Sequence, residues 1–241
     1  MELSAPRILA CGDSAINVEF GDTVDAWLNA RVLALDAALH AAAPQGVVET
    51  VPTYRSLLVH FDPLLVDLPT LIAIISDLGI QLPPKTDRVR RWRVPVVYGA
   101  EFGEDIADLS RLHGLTQAEL IARHAGAVYR IYMIGFMPGF AYLGGLDPRL
   151  ATPRRTQPRP WIPAQSISIG GAQTAISTVE GPSGWHLIGR TPVRGFMRGR
   201  DPVFLYDAGD EVVFEPVESV KWAALDAMAE RGEPVASWAF A

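Results

Sequence analysis

The residues with the clearest capacity for chemistry are the arginines of one stretch in the C-terminal half. Between Arg149 and Arg200 there are eight arginines, no lysine and one acid, Glu180, which gives a formal charge of +7 and leaves −13 for the rest of a −6 chain. A planar guanidinium holds a carboxylate or phosphate through two parallel hydrogen bonds. The segment therefore predicts a site for small anions. A solvated basic strip, in a chain that favours arginine over lysine, explains the composition equally well.

A loop rich in glycine, proline and aromatic residues precedes these arginines. Gly135 to Leu150 reads GFMPGFAYLGGLDPRL, which is too constrained for a flexible linker. Glycine permits positive φ and close approach of a ligand to the backbone, and aromatic rings supply rigid apolar walls. The alternative is a buried structural turn. The candidate binding residues in this loop are Phe136, Pro138, Gly139, Phe140 and Tyr142.

Three further strings extend the candidate site. In Pro153 to Ser166, four prolines hold Arg154 and Arg159 in an extended path. The strings SIGGAQT and GPSGWHLIGRTP then offer glycine pairs whose backbone N–H groups suit an anion. Their candidate residues are Gly170, Gly171, Gln173, Gly184, Trp185, His186, Arg190 and Thr191. For His186 a packed position in a strand is the stronger interpretation, whereas Arg190 followed by Thr191 favours an anion contact.

His124 falls at the end of a predicted helix, where a protonated imidazole would suit the helix dipole, so capping and catalysis are equally favoured. The sequence has no GxxxxGK[ST] phosphate loop, GxGxxG, HExxH, paired CxxC or GxSxG string. No metal-ligating cluster is expected. The acidic chain also argues against a nucleic-acid binder.

The spacing of the hydrophobic residues divides the chain into two structural units of different type. In the first 80 residues, Ala15–Phe20 is typical of a strand. A helix is predicted from Val24, with Asp22 as its cap, and it is followed by two strands and a second helix that begins at Pro69. Thr116 and Glu119 form a capping box for a helix through about His124. From Gly135 the helical period gives way to short β-branched runs separated by glycine and proline. These runs are 167–169, 174–179, 185–188, 203–206 and 211–214.

The chain is therefore predicted to be α+β, with two domains. Residues 1–84 form a small α+β sandwich. Residues 85–241 form a mostly β unit, a small barrel or a sandwich, that ends in a helix near 220–228 and a loosely held tail, with 81–91 as the linker. No apolar run is long enough to span a membrane, and the start of the chain does not resemble a signal peptide. The single cysteine, Cys11, fits a reducing compartment, so a cytoplasmic protein is expected.

Six strings in register resemble the allophanate hydrolase subunit 1 family, which includes the B subunit of bacterial 5-oxoprolinase and a histidine-kinase inhibitor of sporulating bacteria. The resemblance runs from about Gly12 to about Pro216. The strings are GDSAINVEFGD, VVETVPTYRSLLVHFDP, VPVVYGAEFGEDIADL, YMIGFMPGFAYLGGLDPRLATPRR, PRPWIPAQSISIGGAQT and GPSGWHLIGRTP.

The resemblance implies a cyclophilin-like barrel, and one component of an ATP-dependent 5-oxoprolinase that phosphorylates 5-oxoproline for ring opening to glutamate. ATP and Mg²⁺ are then the expected cofactors. The expected partner is a homologue of allophanate hydrolase subunit 2, which is the C subunit of 5-oxoprolinase. The A subunit of 5-oxoprolinase is a further candidate partner.

On that interpretation Arg154, Arg159 and Arg190 contact anionic groups, while Gln173 and His186 orient the substrate. The walls of the pocket are Phe136, Phe140 and Trp185. Two rival functions carry the same strings: an inhibitor that binds a sensor histidine kinase, and half of a carboxyltransferase as in urea carboxylase. No biotinyl-lysine string is present for the second.

Overall fold

The structure is a computed structural model that describes residues 6–80 and 89–241. It divides into two compact units, Met1–Asp87 and Arg88–Ala241. The predicted boundary after residue 84, and most of the predicted linker, lie outside the described residues. The last two linker positions, Arg90 and Arg91, instead begin a strand.

The first unit is a four-stranded antiparallel sheet with two helices. Its strands have the order β1-β2-β4-β3. The elements are β1 (Arg7–Ala10), β2 (Ala15–Glu19), α1 (Ala26–Ala42), β3 (Val47–Pro52), β4 (Ser56–Phe61) and α2 (Leu68–Ile80). Alternate positions of β2 and β4 are buried against the helices, as the period of two requires.

Helix α1 follows the predicted apolar stripe but begins later than expected. Val32, Leu35 and Leu39 are buried in the core of this unit. The N-cap is Asp25, whose carboxylate accepts from the backbone N–H groups of Trp27 and Leu28, so the prediction of Asp22 as the cap is wrong.

The second unit is built on a closed barrel of seven strands, which confirms the predicted fold class. The strand order is β12-β9-β10-β7-β6-β13-β5, and β12 pairs with β5 to close the cylinder. The barrel strands are β5 (Arg90–Tyr98), β6 (Tyr129–Ile134), β7 (Ala141–Gly144), β9 (Ser166–Gly170), β10 (Gln173–Ile176), β12 (His186–Arg190) and β13 (Glu211–Pro216).

Further strands and helices surround the barrel. Strands β8 (Arg159–Ile162) and β11 (Gly181–Ser183) form a separate two-stranded ribbon. The helices are α3 (Ile106–His113), α4 (Gln117–Ala125) and α5 (Trp222–Glu230). Thr116 caps α4 through the predicted capping box with Glu119.

Two predictions for the end of the chain are wrong. The run 203–206 is not a strand, because only Phe204 forms an isolated bridge, to Phe196. The tail is not loosely held, because β14 (Ser237–Phe240) pairs with the first half of β5. Here tertiary pairing decides the structure, and local propensity does not reveal it.

Gly103 allows the segment before α3 to run directly against β12. A Cβ atom built on Gly103 would lie 2.1 Å from the carbonyl oxygen of Ile188. The same contact line includes the hydrogen bond from the Asp105 backbone N–H to the Leu187 carbonyl, at 3.0 Å. Only glycine permits this approach.

We expect Gly103→Ala to lower the free energy of unfolding by about 1–3 kcal/mol, since the added methyl group must displace backbone atoms. Gly79→Ala is the control, because Gly79 lies in the last turn of α2 and no described atom outside the backbone of that helix lies within 4 Å of its Cβ position. That change should raise the free energy of unfolding by about 0.5–1 kcal/mol. Urea unfolding measures both, and equal stability of Gly103→Ala and the natural chain would contradict the packing argument.

Candidate functional site

Four aromatic side chains come together on the second unit. The ring centroids of Phe140 and Tyr142 are 4.7 Å apart, and Trp185 stands at 5.9 Å from Tyr142 and 6.4 Å from Phe140. Phe136 meets Phe140 edge to face at 5.7 Å. We call these four residues the aromatic face. The structure thus brings together all three residues predicted to wall a pocket.

The alternation of strands β7 and β10 places the aromatic face outside the barrel. Ala141 and Leu143 belong to the main core of the barrel, whereas Tyr142 packs in a second cluster with Phe140, Ala175 and Trp185. Ala175 is the direct partner of Tyr142 across the two strands. The outer surface of the sheet therefore carries the aromatic face.

Gly170 explains how the indole of Trp185 lies against the sheet. A Cβ on Gly170 would come within 2.3 Å of the Trp185 ring, so a larger residue would displace the indole. The neighbouring Gly171 is exposed, with φ of 64°, at the turn between β9 and β10. Its role is to allow the turn. Gly184 has only ordinary contacts at its Cβ position, and its carbonyl accepts from the Arg155 N–H at 2.7 Å.

Arg154 is the cation of the aromatic face. Its guanidinium carbon lies 5.5 Å from the centroid of the Trp185 ring, a cation–π distance. Arg154 is exposed, and no salt bridge among the described residues involves it. Its charge lowers the pKa of Tyr142, although burial of that phenol dominates and holds the pKa above its ordinary value.

Gln173 and His186 differ in how their polar atoms are satisfied. Within the described part of the chain, the Nε2 atom of Gln173 is shielded from solvent and has no hydrogen-bond partner. Gln173 is the direct strand partner of Gly170, whose Cβ position faces Trp185. His186 Nε2 lies 3.0 Å from the carbonyl of Pro153, so this nitrogen donates and ties the Arg154 loop to β12. An unpaired donor beside an aromatic wall is what a ligand oxygen would complete.

The loop between Phe136 and Phe140 is held in a conformation that is rare for a side-chain-bearing residue. Phe136 has φ of 69° and is 65% exposed. Gly139 has φ of 74°, and a Cβ there would lie 3.1 Å from Phe196. The carbonyl of Pro138 accepts a hydrogen bond from the Thr178 hydroxyl. The loop is therefore braced, and the Phe136 ring projects into solvent.

Arg159 does not offer a free guanidinium, which corrects the prediction. Its two terminal nitrogens donate to Asp105 at 2.8 and 2.9 Å, and Arg155 donates to the same carboxylate at 3.1 Å. Asp105 is 4% exposed and also accepts from the Leu187 backbone N–H at 2.7 Å. Burial alone would raise the pKa of Asp105, but hydrogen bonds from Arg159 and Leu187 hold it below its ordinary value.

The side chains of Arg190 and Thr191 also make contacts within the protein. The Arg190 guanidinium stacks on Trp222 at 4.9 Å and donates to the Ala164 carbonyl at 3.2 Å. Thr191 is fully buried, and its hydroxyl accepts from the Val193 N–H. Arg154, Arg159 and Arg190 thus have three different surroundings. The single cationic hollow predicted from the sequence is not formed.

His124 is a core residue, not the charged helix-end residue that was predicted. It is 0% exposed, and burial lowers its pKa to about 3, so the ring is neutral. Its nitrogens lie 2.9 Å from the hydroxyl oxygens of Tyr98 and Thr174. It stacks on Phe214 at 4.9 Å. Neither ring nitrogen is left to meet a substrate, which contradicts the catalytic interpretation.

The described residues contain no group of three or more His, Cys, Asp or Glu side chains that could hold a metal ion. The donor set of this part of the chain therefore does not fit Mg²⁺. None of the helices over the same residues combines the length and apolar character needed to cross a bilayer.

Known proteins match this chain over most of its length. A family model described as "Carboxyltransferase domain, subdomain C and D" matches residues 6–206. The 5-oxoprolinase B subunit of Bacillus subtilis (strain 168) is 36% identical over 219 residues, which cover 86% of this chain and 91% of that protein. The 5-oxoprolinase B subunit of Haemophilus influenzae is 41% identical over 170 residues, which cover 70% and 79%. The resemblance predicted from the six strings is confirmed.

A solved structure extends the likeness to a larger enzyme. The urea carboxylase of Kluyveromyces lactis superposes with a TM-score of 0.81 at 18% identity. The match covers 100% of this chain but 24% of the urea carboxylase chain. At this identity the likeness is one of fold.

Sequence reasoning missed Asp105, which orders two arginines and a strand. We expect Asp105→Ala to lower the free energy of unfolding by about 3 kcal/mol, because the half-buried Arg155 and the Leu187 N–H lose their carboxylate, while Arg159 keeps Glu104 at 3.1 Å. The exposed Asp108, paired with Arg111 on α3, is the control, and Asp108→Ala should change stability by less than about 1 kcal/mol. Urea unfolding of both variants makes the comparison, and equal losses would contradict the role given to Asp105.

The same carboxylate adds a dependence on pH. Since the folded pKa of Asp105 lies below the unfolded value of about 3.9, its stabilising effect is complete above that value and is lost as the pH falls through the folded pKa. We therefore expect the urea midpoints of the natural chain and Asp105→Asn to differ at pH 6 and to lie closer together at pH 3. A constant difference would contradict the linkage.

Proposed function

This chain belongs to the carboxyltransferase domain family, in the group of the 5-oxoprolinase B subunits, and we propose that it is the B-type component of an ATP-dependent 5-oxoprolinase. The reaction opens the lactam ring of 5-oxoproline to give glutamate. The observation that carries the proposal is Arg154 over the Trp185 indole, with no salt bridge to Arg154 among the described residues. The shielded amide nitrogen of Gln173 belongs to the strand partner of Gly170, whose Cβ position faces the same indole. A small cyclic amide with a carboxylate needs a cation for the carboxylate and a hydrogen-bond donor for the ring carbonyl oxygen.

The roles of the residues follow from the substrate's two polar groups. The guanidinium of Arg154 holds the substrate carboxylate, with His186 keeping the Arg154 loop in place through the Pro153 carbonyl. Gln173 Nε2, which is shielded from solvent in this structure, donates to the ring carbonyl oxygen after the side chains that cover it move aside. Tyr142 and Trp185 lie against the ring and keep water from it. These contacts orient the lactam, and orientation is a large part of what an enzyme supplies.

ATP supplies the activation that a lactam requires. The nitrogen lone pair stabilises the lactam carbonyl, so hydrolysis becomes feasible when the terminal phosphoryl group of ATP is transferred to the amide oxygen and ADP leaves. Water then adds to the activated carbon, the ring C–N bond breaks as the nitrogen takes up a proton, and hydrolysis of the acyl phosphate gives glutamate and inorganic phosphate. We assign ATP and magnesium to the assembled enzyme, whose other members are homologues of the 5-oxoprolinase C and A subunits. The single cysteine, Cys11, is free, which fits assembly in the cytoplasm.

A second function is favoured by the description of the matching family, which is that of a carboxyltransferase domain. In that case the chain would act with a biotin carrier on another protein. Dependence of turnover on a biotinylated carrier, with no response to 5-oxoproline, would support this alternative and exclude the first.

The central experiment is ATP hydrolysis by the complex reconstituted from this chain and its C-type and A-type partners. We expect 5-oxoproline to stimulate ATP turnover and glutamate to appear in proportion. Arg154→Gln should raise the KM for 5-oxoproline about 10- to 100-fold, the range for losing a charged hydrogen bond. Arg149→Gln, an exposed arginine of the same segment, is the control. ATP turnover that ignores 5-oxoproline would refute the assignment.

Gln173 offers a test that separates binding from folding. Because its Nε2 has no partner to lose, Gln173→Leu should leave the Tm unchanged or raise it, while 5-oxoproline-dependent turnover falls about 10-fold or more. The adjacent Thr174→Val is the contrast, since the Thr174 hydroxyl bonds the Ser168 carbonyl and His124. It should lower the free energy of unfolding by about 1–3 kcal/mol. A clear fall in Tm for Gln173→Leu would mark Gln173 as a folding residue.

A further inference from the structure

A cleft of about 210 Å³ lies within the second unit and shares no lining residue with the aromatic face. One side is the segment from Val193 to Leu205, and the other is the end of α5 with the chain leading into β14. Trp92 and Trp238 form aromatic walls, with 6.1 Å between their ring centroids. Val193, Met197, Leu205 and Val235 make the rest of the lining largely apolar.

The charge in this cleft is Arg200. Its guanidinium donates to four backbone carbonyls, those of Arg194, Gly195, Pro202 and Val203, at 2.7–3.3 Å. Carbonyl dipoles solvate a cation but carry no net charge. Over the described ranges, no carboxylate forms a salt bridge with Arg200. Partial burial also works against the charged form, which lowers the pKa of Arg200.

The other charged residues of the cleft are already paired. Arg194 donates to Asp226 at 2.7 Å. Glu233 accepts from Arg231 at 2.6 Å and is largely exposed. Arg194 also lies 3.9 Å from Glu230, so Arg200 is the charged residue of the lining that contacts no opposite charge over the described ranges. Its four bonds to carbonyls leave one N–H on Nη1. A bound carboxylate would accept from that N–H while supplying a countercharge in a partly desolvated setting, where the pairing is stronger than in water.

We propose that this cleft binds a small monocarboxylic acid with an apolar or aromatic body, its carboxylate at Arg200 and its body against Trp238 and the apolar lining. The volume is below the 300–1,000 Å³ typical of pockets for drug-sized ligands, which limits the body to about one ring or a short chain. This site is separate from the proposed 5-oxoproline site, and its existence does not depend on that function.

The test uses the full chain and a pair of probes that differ in charge alone. Phenylacetate should bind by calorimetry, and the neutral phenylacetamide should bind at least about 10-fold more weakly, as expected for loss of a charge-assisted contact. Added salt should weaken phenylacetate binding. Equal affinity for the two probes, or no binding of phenylacetate at millimolar concentration, would overturn the proposal.

Two variants locate the binding. Arg200→Gln should weaken phenylacetate about 10-fold or more, but Arg200 also supports its own loop. Ala236→Leu is therefore the second variant, because Ala236 lines the cleft and a larger side chain would fill it with Arg200 intact. Arg198→Gln, an exposed neighbour outside the lining, is the control and should bind normally. Full binding by Ala236→Leu would refute this location.

5-Oxoproline serves as the competitor that fixes the ligand class. It should not displace phenylacetate from the natural chain, because its polar ring does not suit an apolar cavity. If 5-oxoproline binds more tightly than phenylacetate and Ala236→Leu abolishes that binding, the class assigned here is wrong. Loss of 5-oxoproline turnover in Arg154→Gln with unchanged phenylacetate binding keeps the two sites distinct.

Discussion

The buried carboxylate of Asp105 is the interaction on which the second unit depends. It receives two arginines from the loop after the candidate site and a backbone N–H from β12, all while nearly excluded from water. The Leu187 N–H and carbonyl both bond to Asp105, since β12 pairs with β5 at Gly189 and Arg190 and not at Leu187. One side chain thus joins the start of α3, the strand that follows Trp185 and the arginine-rich loop. Removing it would leave several polar groups unpaired at once.

This arrangement changes what the arginine-rich segment means. Asp105 and Glu104 together balance Arg155 and Arg159, and Asp226 balances Arg194. Much of the formal charge of the segment therefore holds loops to the barrel, and Arg154 is left on the aromatic face. A count of charges along a sequence does not reveal such pairing, because the acids lie about 50 residues away in the case of Asp105.

The sequence predicted the fold class and the members of the aromatic face, because period-two runs and aromatic clusters are local signals. It did not predict the surroundings of Arg159, Arg190 or His124, which depend on partners distant in the chain. His124 illustrates the difference: its helix-end position suggested a charged ring, whereas burial against Phe214 makes the ring neutral. The tail was misjudged for the same reason, since β14 exists only by pairing with β5.

The closure of the barrel has a consequence for how the aromatic face can move. Strand β12 joins β5 through just two residue pairs, Gly189 with Tyr98 and Arg190 with Val97. The first half of β5 pairs instead with β14. This β12–β5 pairing is the short seam of the barrel, and a short strand pairing separates at a lower free energy than a long one. Trp185 directly precedes the first residue of β12. Separation of β12 from β5 at Gly189 and Arg190 would therefore shift the same strand that carries the indole.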